Sequence, residues 1–310
     1  MKTFRTTFPY VCETALPGNI EALLEERAFD GLNDTMRNGQ GWSYVATDTR
    51  VLEVDDKYLL RYLSSNRKPD ALAVSRLLAE RVDQAIENGR EVTANLQEEL
   101  RIQAENEVVK YAPIASHEVY LLIWPAQKLL IASGGTATKC EDALSYLRKT
   151  IGSLAVVPWG DVSVISNAVT KHMTVGFYQL PENLIISPFG KTLYTGDDSS
   201  LKIVLDGVQN NTEEAKSILS DMTARSVEMS LIRRPDNGQI EYLASFNLQM
   251  PLSGNIHFKS FDYDDDVERE DLSQALIAEM HLVSVYTHEI IAALNEFAGI
   301  GTKEEVIQQE

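Results

Sequence analysis

Apolar positions in this chain switch repeatedly between a helical and an alternating period, and the switches mark out its elements. In CEDALSYLRKTIGSLAVVPW, residues 140–159, Ala143, Leu144, Leu147 and Ile151 recur at helical spacing and form one apolar face. Arg148 and Lys149 occupy the last turn, where cationic charge suits the helix dipole, and Gly152 can take the left-handed conformation that ends a helix. Residues 154–157 then read as a short buried strand stopped by Pro158. Upstream, residues 3–12 read as a strand, and Pro17 suits the start of a helix that ends near Phe29. Gly39 and Gly41 predict a turn before two strands, near 42–47 and 57–64, in a small antiparallel unit.

A helical hairpin follows. Pro69-Asp70 opens a helix with Val74, Leu77, Leu78, Ala85 and Ile86 on one face, and Asn88-Gly89 stops it. The second helix carries Leu96, Leu100, Ala104, Val108 and Tyr111, and Pro113 ends it. Charged outer faces suit either a solvated packing element or a protruding arm that meets a partner. Residues 119–124 and 129–132 predict a β-hairpin. Ser133-Gly134-Gly135-Thr136 lacks the lysine and length of a phosphate loop, so Thr136 reads as a helix cap.

Residues 163–200, punctuated by Gly176, Pro181, Pro188, Gly190 and Gly196, predict loops and short strands. A strand at 201–205 and a helix at 212–222, capped by Asn211 or Thr212, come next. Val227, Met229 and Leu231 alternate along a strand at 225–233, which turns at Pro235-Asp236-Asn237-Gly238 and returns at 239–248. A third strand covers 255–261. The final helix, Leu272–Phe297, carries Leu272, Leu276, Val283, Ile290, Leu294 and Phe297 on one stripe. Strands and helices mix without βαβ regularity, which predicts an α+β fold: mixed antiparallel sheets, a protruding helical hairpin and a long C-terminal helix.

A chain of 310 residues, 44% hydrophobic, can bury a substantial core. No apolar run is long enough to cross a bilayer, and residues 1–18 lack the apolar core of a signal peptide. A cytoplasmic location and no membrane partner are therefore expected. Cys12 and Cys140 make neither a disulfide framework nor a metal motif and read as small buried hydrophobes. Charge complicates the picture: 28 basic against 46 acidic side chains give −18. Phosphate contacts supply most nucleic-acid affinity, so a binder is usually basic. Net charge nonetheless governs long-range repulsion rather than the local field of a groove.

The densest acidic cluster is Asp262, Asp264, Asp265, Asp266, Glu268, Glu270 and Asp271. A two-metal nuclease site needs carboxylates converging from separate elements, whereas these crowd one loop before a helix, where the dipole alone favours acids. His117, His172, His257, His281 and His288 pair neither with one another nor with cysteine at metal spacing. No catalytic residue and no cofactor are assigned. Among the few basic residues, Arg148 and Lys149 end the helix described above. Lys202, Arg225, Arg233, Arg234 and Lys259 lie on or beside predicted strands of the C-terminal half. Sheet-borne cations of this kind either line a groove for phosphates or offset neighbouring acids.

The string Leu147-Arg148-Lys149, followed by Ile151-Gly152-Ser153-Leu154-Ala155-Val156, resembles the signature of the RdgC family of recombination-associated proteins. Val267-Glu268-Arg269-Glu270-Asp271-Leu272 resembles the family's acidic opening of its C-terminal helix. Gly176-Phe177 with Gln179-Leu180, and an early Gly41-Trp42, match further islands in order and spacing. The resemblance implies an RdgC-like fold over residues 1–310. Residues 1–66 with 118–160 would form an N-terminal α+β unit, 67–117 a helical arm, and 161–310 a C-terminal α+β unit. It implies a nucleoid-associated protein that binds duplex DNA without regard to sequence, forms a ring-like homodimer and restrains a recombinase. Older descriptions of the family as an exonuclease imply a metal-dependent alternative.

The chain departs from the family where residues 201–210 read LKIVLDGVQN and keep only Lys202 of a basic segment. Ser253-Gly254-Asn255-Ile256-His257-Phe258-Lys259 replaces a more basic strand, and Val109-Lys110-Tyr111-Ala112-Pro113-Ile114 ends the arm without the family's aromatic. These changes open a third reading, an acidic protein-interaction module on the same scaffold.

Overall fold

The computed structural model describes residues 3–33, 36–176, 179–196, 200–207, 212–219, 221–236, 238–250, 254–261 and 272–300. Its strands are β1 (Thr6–Cys12), β2 (Asn38–Ser43), β3 (Val51–Val54), β4 (Lys57–Arg67), β5 (Ile114–Trp124), β6 (Leu129–Ser133) and β7 (Val156–Pro158). The second half adds β8 (Leu184–Ile186), β9 (Thr192–Thr195), β10 (Lys202–Leu205), β11 (Thr223–Arg233), β12 (Glu241–Gln249) and β13 (Asn255–Phe261). Helices are α1 (Ile20–Glu25), α2 (Ala71–Glu87), α3 (Ala94–Val108), α4 (Ala137–Ile151), α5 (Val162–Val175), α6 (Glu213–Ile218) and α7 (Leu272–Phe297).

The α+β class holds, but the strands join one 13-stranded sheet rather than separate sheets, ordered β10-β9-β11-β12-β13-β1-β6-β5-β4-β2. β1 makes the junction because both of its edges are used. It pairs with β6 along Thr7–Val11, and its other edge is shared by β13 at Thr6 and Thr7 and by β7 at Tyr10, Val11 and Cys12. Side chains alternate across the sheet. One face runs continuously apolar through both halves, with Leu59, Leu122 and Ile131 continuing into Val227, Met229, Phe246, Leu248 and Ile256. Helices α5 and α7 cover it through Ile165, Val169, Val283, Ile290 and Leu294. Each such side chain, once fully buried, contributes about 1.5–3 kcal/mol. The opposite face is apolar only in the first half, where Phe8, Tyr10, Leu60, Leu121 and Leu130 pack under Leu24 of α1 and Ala143, Leu144 and Leu147 of α4.

Helix α4 forms where the sequence predicts, opened by Thr136, whose hydroxyl accepts from Lys139 N at 3.4 Å, and closed at Gly152, φ 87°. The segment after it differs from expectation. Leu154 is buried, but Val157 is 58% exposed, because β7 is a short strand beside β1. Helix α1 is shorter than predicted: after Glu25 the chain turns to pair with β2, Phe29 N donating to Trp42 O at 2.9 Å. Gly39 and Gly41 lie inside β2 rather than in a turn. A Cβ on Gly41 would sit 2.5 Å from both Arg27 O and Phe29 Cβ, so this strand needs glycine for close approach of the crossing chain.

The largest correction is α5, 14 residues of helix where loops and short strands are expected. Asp161 caps it, its carboxylate accepting from Ser163 N at 3.0 Å and Val164 N at 3.2 Å, and Gly176 ends it at φ 72°. Many of its residues are β-branched and favour helix weakly, so burial of Ile165, Ala168, Val169 and Met173 against the sheet decides its state.

The hairpin α2–α3 forms as predicted, with Asp70 accepting from Ala73 N at 2.7 Å and Thr93 from Leu96 N at 3.3 Å. Its interior is the small cluster of Ala85, Leu96 and Leu100. Ile86 at 59% and Tyr111 at 86% exposure face solvent instead of the packed side.

Candidate nucleic-acid interface

In the second half of the sheet, the face opposite α5 and α7 is polar. Ser226, Glu228 and Ser230 alternate with the core residues of β11, and the register carries Glu228 across Asn247 to His257. Among the described residues no helix packs over this face. Lys202 belongs to it, because Ile203 and Leu205 of β10 turn to the core. Its partner across the ladder is Thr195, whose hydroxyl also accepts from Arg225 Nε at 2.9 Å. Arg225 sits in a β-bulge between Ala224 and Ser226, which re-aims its side chain. Lys259 reaches over from β13 to Glu228 Oε2 at 2.5 Å.

Arg5 adds a further cation beside His257 at the edge of this face. His257 shares a 2.8 Å hydrogen bond between its Nδ1 and Thr6 Oγ1. Burial, and then the nearby Arg5 and Lys259 cations, hold its imidazole below the ordinary histidine range. Glu228 is the main counterweight, for it binds Lys259 and also accepts from Lys191 N at 3.1 Å. Lys202 and Arg225 have no carboxylate partner among the described residues.

The other predicted cations lie elsewhere. Arg233 ends β11, about 26 Å from Arg225 at about 3.3 Å per residue. Its Nη1 stands 3.7 Å from Glu241 Oε2, and Arg234 Nε donates to Glu182 O at 3.1 Å. Arg148 and Lys149 are exposed on α4, over the first half of the sheet, where Arg148 Nε donates to Leu154 O at 3.3 Å. The structure thus brings Lys202, Arg225 and Lys259 onto one face and leaves the other four apart. Arg5 is a cation that the strand pattern missed. It lies just before β1 and reaches this face through the pairing of β1 with β13, whereas Lys191 brings only its backbone N to Glu228 and its ammonium stands 3.4 Å from Asp206 Oδ2.

Among the described residues, no three His, Cys, Asp or Glu side chains converge as a metal site requires. The acidic segment 262–271, Phe177 and Asn237 lie outside the described residues. His117 Nδ1 is 3.0 Å from Lys139 Nζ, and His288 lies 5.8 Å from the Trp124 ring. Cys12 and Cys140 are buried free thiols, and burial pushes Cys140 up to about 12. Among the described residues no helix is long and apolar enough to cross a membrane.

Comparison with known proteins adds a family. The sequence model described as "Putative exonuclease, RdgC" matches residues 2–220. The chain is 27% identical over 163 residues to the recombination-associated protein RdgC of Tolumonas auensis, covering 51% of this chain and 53% of that one. It thus spans about half the length of that relative. It is 24% identical to the Aeromonas hydrophila protein over 244 residues, covering 76% and 74%. With the Actinobacillus pleuropneumoniae protein the identity is 24% over 309 residues, 96% of each chain.

Proposed function

The chain belongs to the RdgC family, whose model matches residues 2–220, and from that premise we propose that it binds duplex DNA without regard to sequence and modulates recombination by limiting a recombinase's access. The observation that carries this reading is the polar sheet face with Lys202, Arg225 and Lys259, over which no helix packs among the described residues. Strand-borne cations on such a face meet phosphate oxygens and carry no base readout. The net charge of −18 acts at long range and slows encounter, while binding is decided by the field at contact.

The protein acts as a homodimer that closes into a ring around DNA, in the cytoplasm and at the nucleoid. It needs no cofactor and performs no catalysis. Arg148, Lys149, Arg233 and Arg234 make secondary phosphate contacts as the duplex passes. Static light scattering tests the dimer: a monomer at micromolar concentration contradicts the ring.

The interface is tested by replacing Lys202, Arg225 and Lys259 together with glutamine. Three lost phosphate contacts flatten the slope of log affinity against log salt by about 2.7. An unchanged slope contradicts the assignment. A second reading, an acidic protein-binding module, draws on the Glu228–Lys259 and Arg233–Glu241 pairs, which neutralise two of the seven candidate cations. Absence of any DNA affinity in the unaltered protein would favour it.

A further inference from the structure

A second concentration of positive charge lies at the base of the α2–α3 arm. An open cleft of about 650 Å³ is lined there by Arg37, Asn66, Arg67, Lys68 and Arg101, with Glu105 as the sole carboxylate in its lining. These residues come from separate places: the approach to β2, the end of β4 and the second half of α3. Four cations around one cleft run against the composition of a chain with 46 acids and 28 bases.

Pairing does not exhaust them. Glu105 is shared by Arg37, at 3.1 Å, and by Arg101, which also binds Glu98 at 2.6 Å. Arg67 donates from Nη1 to Lys110 O at 3.2 Å, and no described residue accepts from its Nη2. Lys68 is exposed and has no carboxylate partner among the described residues. Asp70 is close in sequence, but its carboxylate accepts from Ala73 N and does not line the cleft. Elsewhere on the arm Arg81 is matched one to one with Glu107. A guanidinium with a spare donor beside a free ammonium suits an oxyanion with several acceptor oxygens.

We propose that this cleft is a phosphate-binding site, separate from the polar sheet face. The shared ligand chemistry is a phosphate oxyanion, supplied either by a duplex backbone or by a free phosphoester. The cleft is four strand steps from β13, about 19 Å at about 4.8 Å per step, so the two cationic zones are distinct places on one sheet. The site does not depend on the function proposed for that face.

The probe is inorganic pyrophosphate, titrated calorimetrically into the full chain, alongside a labelled duplex titrated at several salt concentrations. The variants are Lys68→Gln, which alters an exposed side chain, and the double variant Arg67→Gln with Lys68→Gln. Lys259→Gln is the control on the other face. Pyrophosphate is expected to bind one to one. Lys68→Gln weakens it severalfold, the double variant at least tenfold, and Lys259→Gln leaves it unchanged. If the backbone of DNA is the ligand, the double variant also flattens the duplex salt slope by about 1.8. If a free phosphoester is the ligand, that slope stays the same while pyrophosphate binding is lost. Two results overturn the proposal: pyrophosphate binding that persists in both variants, or no pyrophosphate binding together with an unchanged duplex slope. A flattened slope in Lys259→Gln alone, with pyrophosphate binding intact in the double variant, would keep the sheet face as the DNA contact and reject this cleft.

Discussion

Replacing Glu228 with glutamine should strengthen DNA binding, an uncommon result for a change at a binding face. Glu228 holds Lys259 at 2.5 Å and faces the same side as Lys202 and Arg225. Its side chain also accepts from Lys191 N at 3.1 Å, a bond that the glutamine oxygen can keep. The substitution removes one negative charge and frees one ammonium. For a phosphate about 7 Å away, the lost repulsion is about 0.6 kcal/mol at the dielectric of water, or about threefold in affinity, and about four times that energy at an effective dielectric of 20. Lys259 already counts among the three phosphate contacts, so the salt slope should stay at about 2.7 while affinity rises. Fluorescence anisotropy with a labelled duplex, at several salt concentrations, reads both quantities. Affinity that stays level or falls would refute the view that DNA meets this face.

The remaining predictions concern titration, packing and catalysis. His257 is held below its ordinary value of 6.5 in the free protein, by burial first and then by Arg5 and Lys259, and a nearby phosphate would raise it. The complex then binds more protons than the free protein, so affinity should climb as pH falls toward the depressed range of the free imidazole, and His257→Gln should flatten that climb; equal pH profiles for the two proteins would remove His257 from the interface. In the unbound protein the same depression means that the unfolded chain takes up the proton first, so stability should decline as pH drops below about 6.5 in a urea titration. Gly41→Ala should cost about 1–3 kcal/mol by overpacking against Arg27 O and Phe29, read from the urea midpoint. Purified protein with Mg²⁺ or Mn²⁺ should leave linear duplex intact, and degradation abolished by Asp264→Asn or Asp265→Asn would restore a nuclease.

Elements were legible in the sequence where local signals agreed. In α4 the apolar period, the Thr136 cap and Gly152 all point to one helix, and α7 follows from its single long stripe. Helix α5 was hidden because its β-branched residues and flanking prolines and glycines point away from helix, while the packing that holds it involves strands distant in sequence. Gly41 is ambiguous for a related reason: a glycine marks a turn or a close approach alike, and only the crossing of residues 27–29 distinguishes them. Candidate cations could be named from sequence but not grouped. Lys202 and Lys259 share a face through the order β10-β9-β11-β12-β13, whereas Arg233, only eight positions from Arg225, is carried to the far end of the same strand. The arm-base cleft went unread because Arg37, Arg67 and Arg101 are separated by long stretches of chain, and only the adjacent Arg67-Lys68 pair before Pro69 signals it.

The most direct test of the central claim is an anisotropy titration of the unaltered protein on two unrelated duplexes of about 30 base pairs at about 50 mM salt. The account predicts saturable binding of equal strength to both sequences, weakening steeply as salt rises with a slope of at least about 2.7, for three phosphate contacts. No change in anisotropy at tens of micromolar protein, on either duplex, would contradict it.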